Sequence, residues 1–521
     1  MLEILVLLMP VMVGVLVGIS VLISISSRRR AMKRYLYYSA FDPVLSNLGF
    51  LFQFSGLLLV PAIVYAYYLQ EFRGGVAVSI PCTLLLFFGF LLSLLFEPKM
   101  LNLKQSCMLL VLYYTFVPLI TSIQFLYLGT FEGSFLEQII DSWFETSSAV
   151  STTGLTLLNN VALPKSVILA RAISEWNGGI GIVFILPSSL YLSDSLSQYA
   201  KVLGINRITE DFKRSFMLVL LIYFSFTLIF SFILILTGLD VFTAFHTAFD
   251  IYSTTGLTIV NVLKLPVAAV ITVTVMMLFS AFSFSFNLRF ISLFTNFFSS
   301  LIKRDWKTFK SYILDWKKLP TKELAFYLVI LLFFTFIFAY MEGWPLSLAF
   351  FHIVDLSSST GLNLVPFDEM GDIGKILLTV LMMIGPCSFS VGGGIRVLRF
   401  YILGKALFAS PRILLKGEIP KINLEEDEFG TLDIIINLLV ILLFVSASFI
   451  VALILINYGY SFVDALVESV SAITTTGDSP KTLTPSLPIL PKFLLSILML
   501  TGRIEIIPVF IALSRIKKEK V

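Results

Sequence analysis

Apolar residues in this chain come in long unbroken runs, not in the narrow stripes of an amphipathic globular fold. Runs long enough to cross a bilayer, about 20 residues each, recur roughly eleven times. The first extends from Leu2 to Ile25, and the next two from Asn47 to Leu69 and from Val76 to Phe96. Beyond them one pattern repeats four times: a span, a short amphipathic segment, a Ser/Thr-Gly cluster and a second span. The first spans start near Gln105, Lys213, Thr321 and Leu432, and the second spans near Pro164, Pro266, Ile373 and Pro491. Helices satisfy their own backbone in hydrocarbon, and the alternation of a transmembrane barrel is missing. The predicted fold is therefore an all-α polytopic membrane protein. Four span–pore-loop–span repeats surround a pseudo-fourfold pore, with about three extra N-terminal transmembrane helices. The chain divides into an N-terminal helix with a basic loop (1–42), an additional helix pair (43–104) and pore repeats at 105–212, 213–320, 321–431 and 432–521.

Composition sharpens this. The chain is 57% hydrophobic and 13% charged, against about 25% charged in an ordinary globular domain, and its mean hydropathy is +0.94. Lipid must be the solvent for that much apolar surface. The net charge of +4 says less than its distribution. Glu3 precedes the first apolar run, and Arg28, Arg29, Arg30, Lys33 and Arg34 follow it. A signal peptide has the opposite polarity, so this run is expected to be a transmembrane helix with its N-terminus outside. The connections between repeats carry the other basic clusters, among them Lys201 to Arg214, Lys303 to Lys322 and Arg396 to Lys421, and Arg515 to Lys520 end the chain. All fall on one side, which the positive-inside rule makes cytoplasmic. The Gly clusters then enter from outside.

The four clusters read SAVSTTGLT (Ser148 to Thr156), DIYSTTGLT (Asp250 to Thr258), DLSSSTGLN (Asp355 to Asn363) and SAITTTGDS (Ser471 to Ser479). Their glycines, Gly154, Gly256, Gly361 and Gly477, lie 102, 105 and 116 residues apart. Each of the three residues before every glycine is Ser or Thr. One such tetrapeptide is an ordinary turn; four in register, each between two spans, mark a repeated functional element. Extended backbone at membrane depth is tolerated where it lines a wet cavity. A glycine with positive φ lets neighbouring carbonyls aim at one axis, and carbonyl oxygens from four such loops can replace a cation's hydration shell. The expected ion-contacting residues are Thr153, Gly154, Thr255, Gly256, Thr360, Gly361, Thr476 and Gly477. The short helix before each loop would direct the partial negative charge of its C-terminus at the ion. Asp250 and Asp355 lie six residues before their glycines, and Glu145 and Glu468 nine before; these acids either anchor the short helices or tune the field. His246 and His352, in the same helices, are expected to pack or hydrogen-bond.

Several motifs now carry a resemblance. SEWNGGIGI (Ser174 to Ile182), the glycine-broken GPCSFSVGGGIRVLR (Gly385 to Arg399) and GRIEI (Gly502 to Ile506), with the four Ser/Thr-Gly loops, resemble the Trk/Ktr/HKT superfamily of potassium transporters, and within it the TrkH-type membrane subunit. The likeness runs from about Pro43 to the C-terminus. It implies a pseudo-fourfold pore in one chain, potassium selectivity from the four glycines, a homodimer in the cell membrane and a cytoplasmic nucleotide-binding regulatory subunit. The chain departs from the pattern at Asp478, where the other loops have Leu155, Leu257 and Leu362, and at Phe389 and Val391, in a stretch usually built of Gly, Ser and Thr.

Spacing adds a gate. Arg503 lies 26 residues beyond Gly477, and Cys387 lies 26 beyond Gly361. At 1.5 Å per residue both belong near mid-membrane, below the loops. Arginine at that depth faces a water-filled path or a partner; Glu505 is one such partner, and a pore-facing barrier is the preferred reading. The stretch Pro386, Cys387, Ser388, Phe389, Ser390, Val391, Gly392, Gly393 and Gly394 cannot stay a regular helix, and is expected to be a gating loop in preference to a simple kink. Asp478 is expected at the outer mouth. The chain lacks HExxH, Walker and GxGxxG motifs. Cys82, Cys107 and Cys387 share no ligand spacing and are expected to pack as small hydrophobes. The functional expectation is channel-like potassium uptake with no bound cofactor and no nucleic acid partner. A sodium-selective or sodium-coupled transporter of the same fold is the alternative, and a polytopic membrane enzyme the remote one.

Overall fold

The computed structural model describes residues 41–96, 101–158, 163–188, 212–260, 262–302, 322–362, 364–416, 422–424, 427–480 and 483–514. The expected span 2–25 with its basic cluster, and the basic segments 201–211, 303–321 and 515–521, lie outside the described residues.

Helices α1 (Asp42–Tyr68) and α2 (Phe72–Leu95) precede the repeats. The first repeat supplies α3 (Leu103–Thr121), its extension α4 (Ile123–Leu128), a short helix α5 (Phe135–Ser151) and α6 (Lys165–Ser188). The second supplies α7 (Phe212–Leu236), the short α8 (Val241–Tyr252), α9 (Val267–Ala281) and, after a sharp break, α10 (Phe284–Ile302). In the third, α11 (Lys322–Glu342) and the short α12 (Leu346–Ser358) are followed by α13 (Asp372–Ile384) and α14 (Val397–Lys416). A two-stranded hairpin, β1 (Ile422–Leu424) and β2 (Asp427–Phe429), leads into α15 (Thr431–Ile456), the short α16 (Phe462–Thr474), α17 (Ile489–Ile504) and α18 (Ile507–Leu513). Among the described residues six helices are long and apolar enough to cross a membrane, or up to eight if each of two bent pairs counts as one span. The chain is a multi-pass membrane protein, all-helical but for the hairpin. That hairpin departs from an all-α reading for a local reason: Ile422 and Phe429 are cross-strand partners, and both bury against Leu398 and Ile402 of α14.

The helices form two compact units. In the first (1–192 with 481–521), α1 and α2 make an antiparallel pair, and Gln53 Nε2 donates to the Gly89 carbonyl and Ser93 hydroxyl across it. Asn177 of α6 donates to both Ser55 of α1 and Tyr113 of α3, at 2.9 Å each, so a buried polar node ties three helices together. The Glu71 carboxylate accepts the N–H groups of Lys165 and Ser166, capping α6 from the α1–α2 turn; acceptors at a helix start satisfy groups that otherwise lack partners. The Lys492 ammonium of α17 forms an ion pair with Asp141 of α5, both side chains 1% exposed.

In the second unit (193–480), rings of Phe226, Phe230, Tyr252 and Phe279 pack α7, α8 and α9 together. Lys375 of α13 pairs with Asp464 of α16 at 3.0 Å. Asp141 and Asp464 both lie 13 residues before the glycine of their Ser/Thr-Gly loop, where the other two repeats have Thr243 and Leu348. The same kind of latch therefore holds two of the four short helices.

The second spans break in register. Counting 26 residues from each glycine gives Phe282, Cys387 and Arg503 in repeats two to four. α9 ends at Ala281 and turns by 118° into the next helix, α13 ends at Ile384, and α17 meets α18 at 94°. Glu505 (φ 65°) and Ile506 (φ 33°) make the last of these turns. In the first repeat the same position is Ile180, inside the continuous helix α6.

Candidate functional site

The four Ser/Thr-Gly loops have one conformation built four times. Each short helix ends on a residue two before the glycine in the left-handed region: Thr152 (φ 55°), Thr254 (61°), Ser359 (58°) and Thr475 (55°). The glycines follow at φ 94°, 77°, 78° and 87°, and the threonine between keeps a negative φ. In every loop that threonine's N–H returns to a carbonyl five residues earlier: Thr153 to Ser148, Thr255 to Asp250, Thr360 to Asp355 and Thr476 to Ser471, at 2.9–3.1 Å. This is the helix-ending motif that glycine usually supplies. Non-glycine residues held there cost about 1–3 kcal/mol each, a strain repeated four times and restrained by local bonds.

Hydroxyl pairs provide one restraint. Ser151–Thr153, Ser253–Thr255, Ser358–Thr360 and Thr474–Thr476 lie 2.6, 2.7, 2.7 and 2.8 Å apart. The run of three hydroxyl residues before each glycine thus braces its own backbone.

The acids provide the other, in two versions. Asp250 and Asp355 accept the N–H groups of Leu257 and Leu362, one residue past the glycine, at 2.8 and 2.7 Å. Glu145 accepts from the Thr156 hydroxyl and the Leu157 N–H, and Glu468 accepts from the Ser479 hydroxyl. All four carboxyls are fully buried. They hold the limb of the loop beyond the glycine, a more specific task than anchoring the helix. Arg171 of α6 joins the first brace, 3.2 Å from Glu145. At the far end of α5 the half-buried Glu137 accepts the Ser134 N–H and hydroxyl, which keep its carboxyl below the usual carboxylate range.

Within the second unit three loops meet backbone to backbone. A Cβ on Gly256 would stand 2.0 Å from the Thr360 carbonyl oxygen, and one on Gly361 would stand 2.2 Å from that of Thr476. Each glycine is therefore also a point of closest approach to the next loop. Asp478, expected at the outer mouth, has no solvent exposure. It lies close enough to Asp355 and Glu468 for the carboxyls to act on one another's charge. The histidines pack as expected: His352 Nε2 accepts the Val365 N–H beside the Trp344 ring, and His246 sits against Phe242.

The stretch Pro386 to Gly394 is an irregular loop pinched at its neck. Gly385 (φ 68°) and Gly394 (φ 87°) face each other, and Val397 N–H donates to the Pro386 carbonyl. Its polar backbone is satisfied by the break in the second repeat: Cys387 N–H donates to Ala281 O, Val391 N–H to Ser280 O, and Phe284 N–H to Phe389 O. Two broken helices complete each other, and the Phe284 and Phe389 rings pack edge to face at 5.6 Å. The loop also presses on the third and fourth Ser/Thr-Gly loops. Gly393 N–H donates to Ser359 Oγ at 3.0 Å. A Cβ on Gly392 would lie 2.7 Å from the Ser358 carbonyl, and one on Gly393 would lie 2.1 Å from Thr475 Oγ1. Sequence reasoning missed the Phe282–Ser283 break because no Gly or Pro marks it; the count of 26 from Gly256 was the available signal.

Arg503 is 2% exposed and donates to the Gly178 and Gly179 carbonyls of α6 at 3.2 and 2.8 Å. Its partners thus include the backbone of the SEWNGGIGI motif, and Tyr114 OH donates to the same Gly178 oxygen at 2.7 Å.

These features define a class: a polytopic membrane protein with four loops of one conformation, each following a short helix. The TrkH family model, described as a cation transport protein, matches residues 128–520. An uncharacterized cation transporter of Methanocaldococcus jannaschii is 26% identical over 479 residues, 90% of this chain and 94% of that protein. The Trk system potassium uptake protein TrkH of Vibrio parahaemolyticus is 26% identical over 376 residues, 67% of this chain and 72% of the relative. A crystal structure of the potassium transporter TrkH from Vibrio parahaemolyticus has the same fold, with a TM-score of 0.75 at 20% identity, covering 91% of this chain and 98% of that one. The chain belongs to the TrkH family of cation transport proteins, and is a transporter, not an enzyme.

Proposed function

We propose that this chain takes potassium into the cell across the cytoplasmic membrane, channel-like, through a selectivity filter of four loops. The carrying observation is the fourfold repetition of one strained conformation at Thr153–Gly154, Thr255–Gly256, Thr360–Gly361 and Thr476–Gly477. Alternating hand at consecutive residues turns successive peptide planes so that carbonyls can share a side, and carbonyl oxygens are what a dehydrated potassium ion needs. Buried acids brace each loop beyond its glycine. Inward movement of one positive charge gains about 2.3 kcal/mol per 100 mV of inside-negative potential, so no energy-coupling domain is required. Relatives named as potassium uptake proteins support potassium as the substrate.

In this reading the Pro386–Gly394 loop is the gate. Its glycines let it press against two filter loops, and its neck at Gly385 and Gly394 can hinge. Arg503, fixed by the Gly178 and Gly179 carbonyls, contributes a positive barrier. A homodimer and a cytoplasmic nucleotide-binding regulatory subunit follow from the family likeness and complete the proposal. The deciding experiment is flux from liposomes under defined potassium and sodium gradients. Potassium-selective flux driven by membrane potential alone is expected. Flux that requires sodium, or prefers it, would replace this reading with a sodium-coupled or sodium-selective one.

A further inference from the structure

We infer that Glu323 is the latch that holds the 386–394 loop shut. This rests on the gate reading and adds a residue to it. Glu323 sits in the first turn of α11, at the end that the basic connections place in the cytoplasm. Its Oε1 accepts the Ser388 N–H at 2.6 Å, a short bond to a charged acceptor. Such bonds are roughly twice as strong as neutral ones.

The loop's hydrogen bonds with Ala281, Ser280, Phe284 and Ser359 are between neutral groups. Glu323 supplies a charged one. One helical turn along α11, Tyr327 OH lies 2.9 Å from Ser357 Oγ, at the end of the third short helix. Residues four apart share a helix face, so one face of α11 touches the loop at Glu323 and the base of the filter at Tyr327. The loop is thus fastened to the filter at Gly393 and to the end of α11 at Ser388, and α11 spans the distance between them. A carboxylate is suited to this work. It accepts from a backbone N–H that any loop residue except proline presents, and it is released by movement of one side chain at the membrane boundary, without repacking the buried break.

The neighbouring thiol provides the test. Cys387 is 2% exposed, precedes the latched Ser388, and feels the charges of both Glu323 and Arg396. Cys82 and Cys107 would be replaced by alanine in the full chain, which would be reconstituted in liposomes. Two readouts follow: potassium flux, and the rate at which a small cationic methanethiosulfonate modifies Cys387. Glu323→Ala is expected to raise flux on the order of tenfold and Glu323→Gln by a few fold, the order expected for losing against weakening a charge-assisted bond. Modification of Cys387 should speed up in parallel, with the potassium-to-sodium ratio unchanged. Wild-type flux and wild-type labelling in Glu323→Gln would overturn the latch, as would the same result in Glu323→Ala. Deleting Phe389 to Gly393 separates the two ideas. If the deletion raises flux and the Glu323 variants do not, the latch fails and the gate stands. If Glu323 variants speed labelling but neither they nor the deletion raise flux, Glu323 restrains the loop and the gate reading fails.

Discussion

The main-chain N–H of Gly393 donates to the hydroxyl of Ser359 at 3.0 Å. Ser359 is the left-handed residue two before a filter glycine, and Gly393 lies in the loop proposed as the gate. The loop proposed as the gate is therefore in direct contact with one of the loops proposed as the filter.

The first prediction follows from the glycines. Gly361→Ser places a Cβ at positive φ, at about 1–3 kcal/mol of strain, and aims it at the Thr476 carbonyl 2.2 Å away. Two loops must shift. Potassium-over-sodium discrimination, read from reversal potentials, should fall for serine at each of Gly154, Gly256, Gly361 and Gly477. Unchanged reversal potentials at all four would remove the filter assignment.

A second prediction concerns the braces. Asp355→Ala leaves the Leu362 N–H without its acceptor, a loss of about 1–3 kcal/mol, and should loosen the third loop. Lower discrimination with near-normal protein yield is the expected outcome. Asp250→Ala should behave alike, because Leu257 depends on it in the same way. A variant that keeps full discrimination would show that the hydroxyl pair alone holds the loop.

The Lys492–Asp141 latch can be tested for stability. Asp141→Leu strands a buried ammonium, and thermal unfolding in detergent should show a loss of about 3–5 kcal/mol. Asp141→Leu with Lys492→Met should recover most of it, since a well-packed apolar pair replaces a buried ion pair at little cost. No recovery in the double variant would assign the role to the Asp141 carboxylate alone.

Asp478 offers a test by salt. An exposed charge at a pore mouth loses influence as ionic strength rises; a buried one is screened far less. Asp478 is buried, so Asp478→Asn should change uptake by the same factor in dilute and concentrated salt. An effect confined to low salt would restore the open-mouth reading.

Arg503 closes the set. Arg503→Ala should raise flux if the barrier matters, while Arg503→Lys should change it less because the charge remains. Loss of expression in Arg503→Ala, with normal flux in Arg503→Lys, would leave only the structural bond to Gly178 and Gly179.

Much of this was legible beforehand. The spans and the four loops could be read from the chain because bilayer thickness fixes run length and because three consecutive hydroxyl residues before a glycine are hard to repeat by chance. The irregular loop at 386–394 announced itself through its glycines and proline. What escaped were relationships that composition does not encode. The break after Ala281 has ordinary helix-tolerant neighbours and is stabilised by another segment's backbone. Arg503 forms hydrogen bonds to backbone carbonyls more than 300 residues away. The acids were noticed, yet their targets beyond the glycines appear only once the loop is folded.

The two kinds of brace have a further meaning. Repeats one and four use a glutamate nine residues before the glycine, and repeats two and three an aspartate six before. A channel assembled from four identical subunits receives every substitution four times over, so its filter changes by whole steps. Here a single substitution enters the proposed filter once, at one loop and the neighbour it touches. Ion preference in such a chain can be adjusted in small increments, and the unequal braces are the mark of quarters that have already diverged.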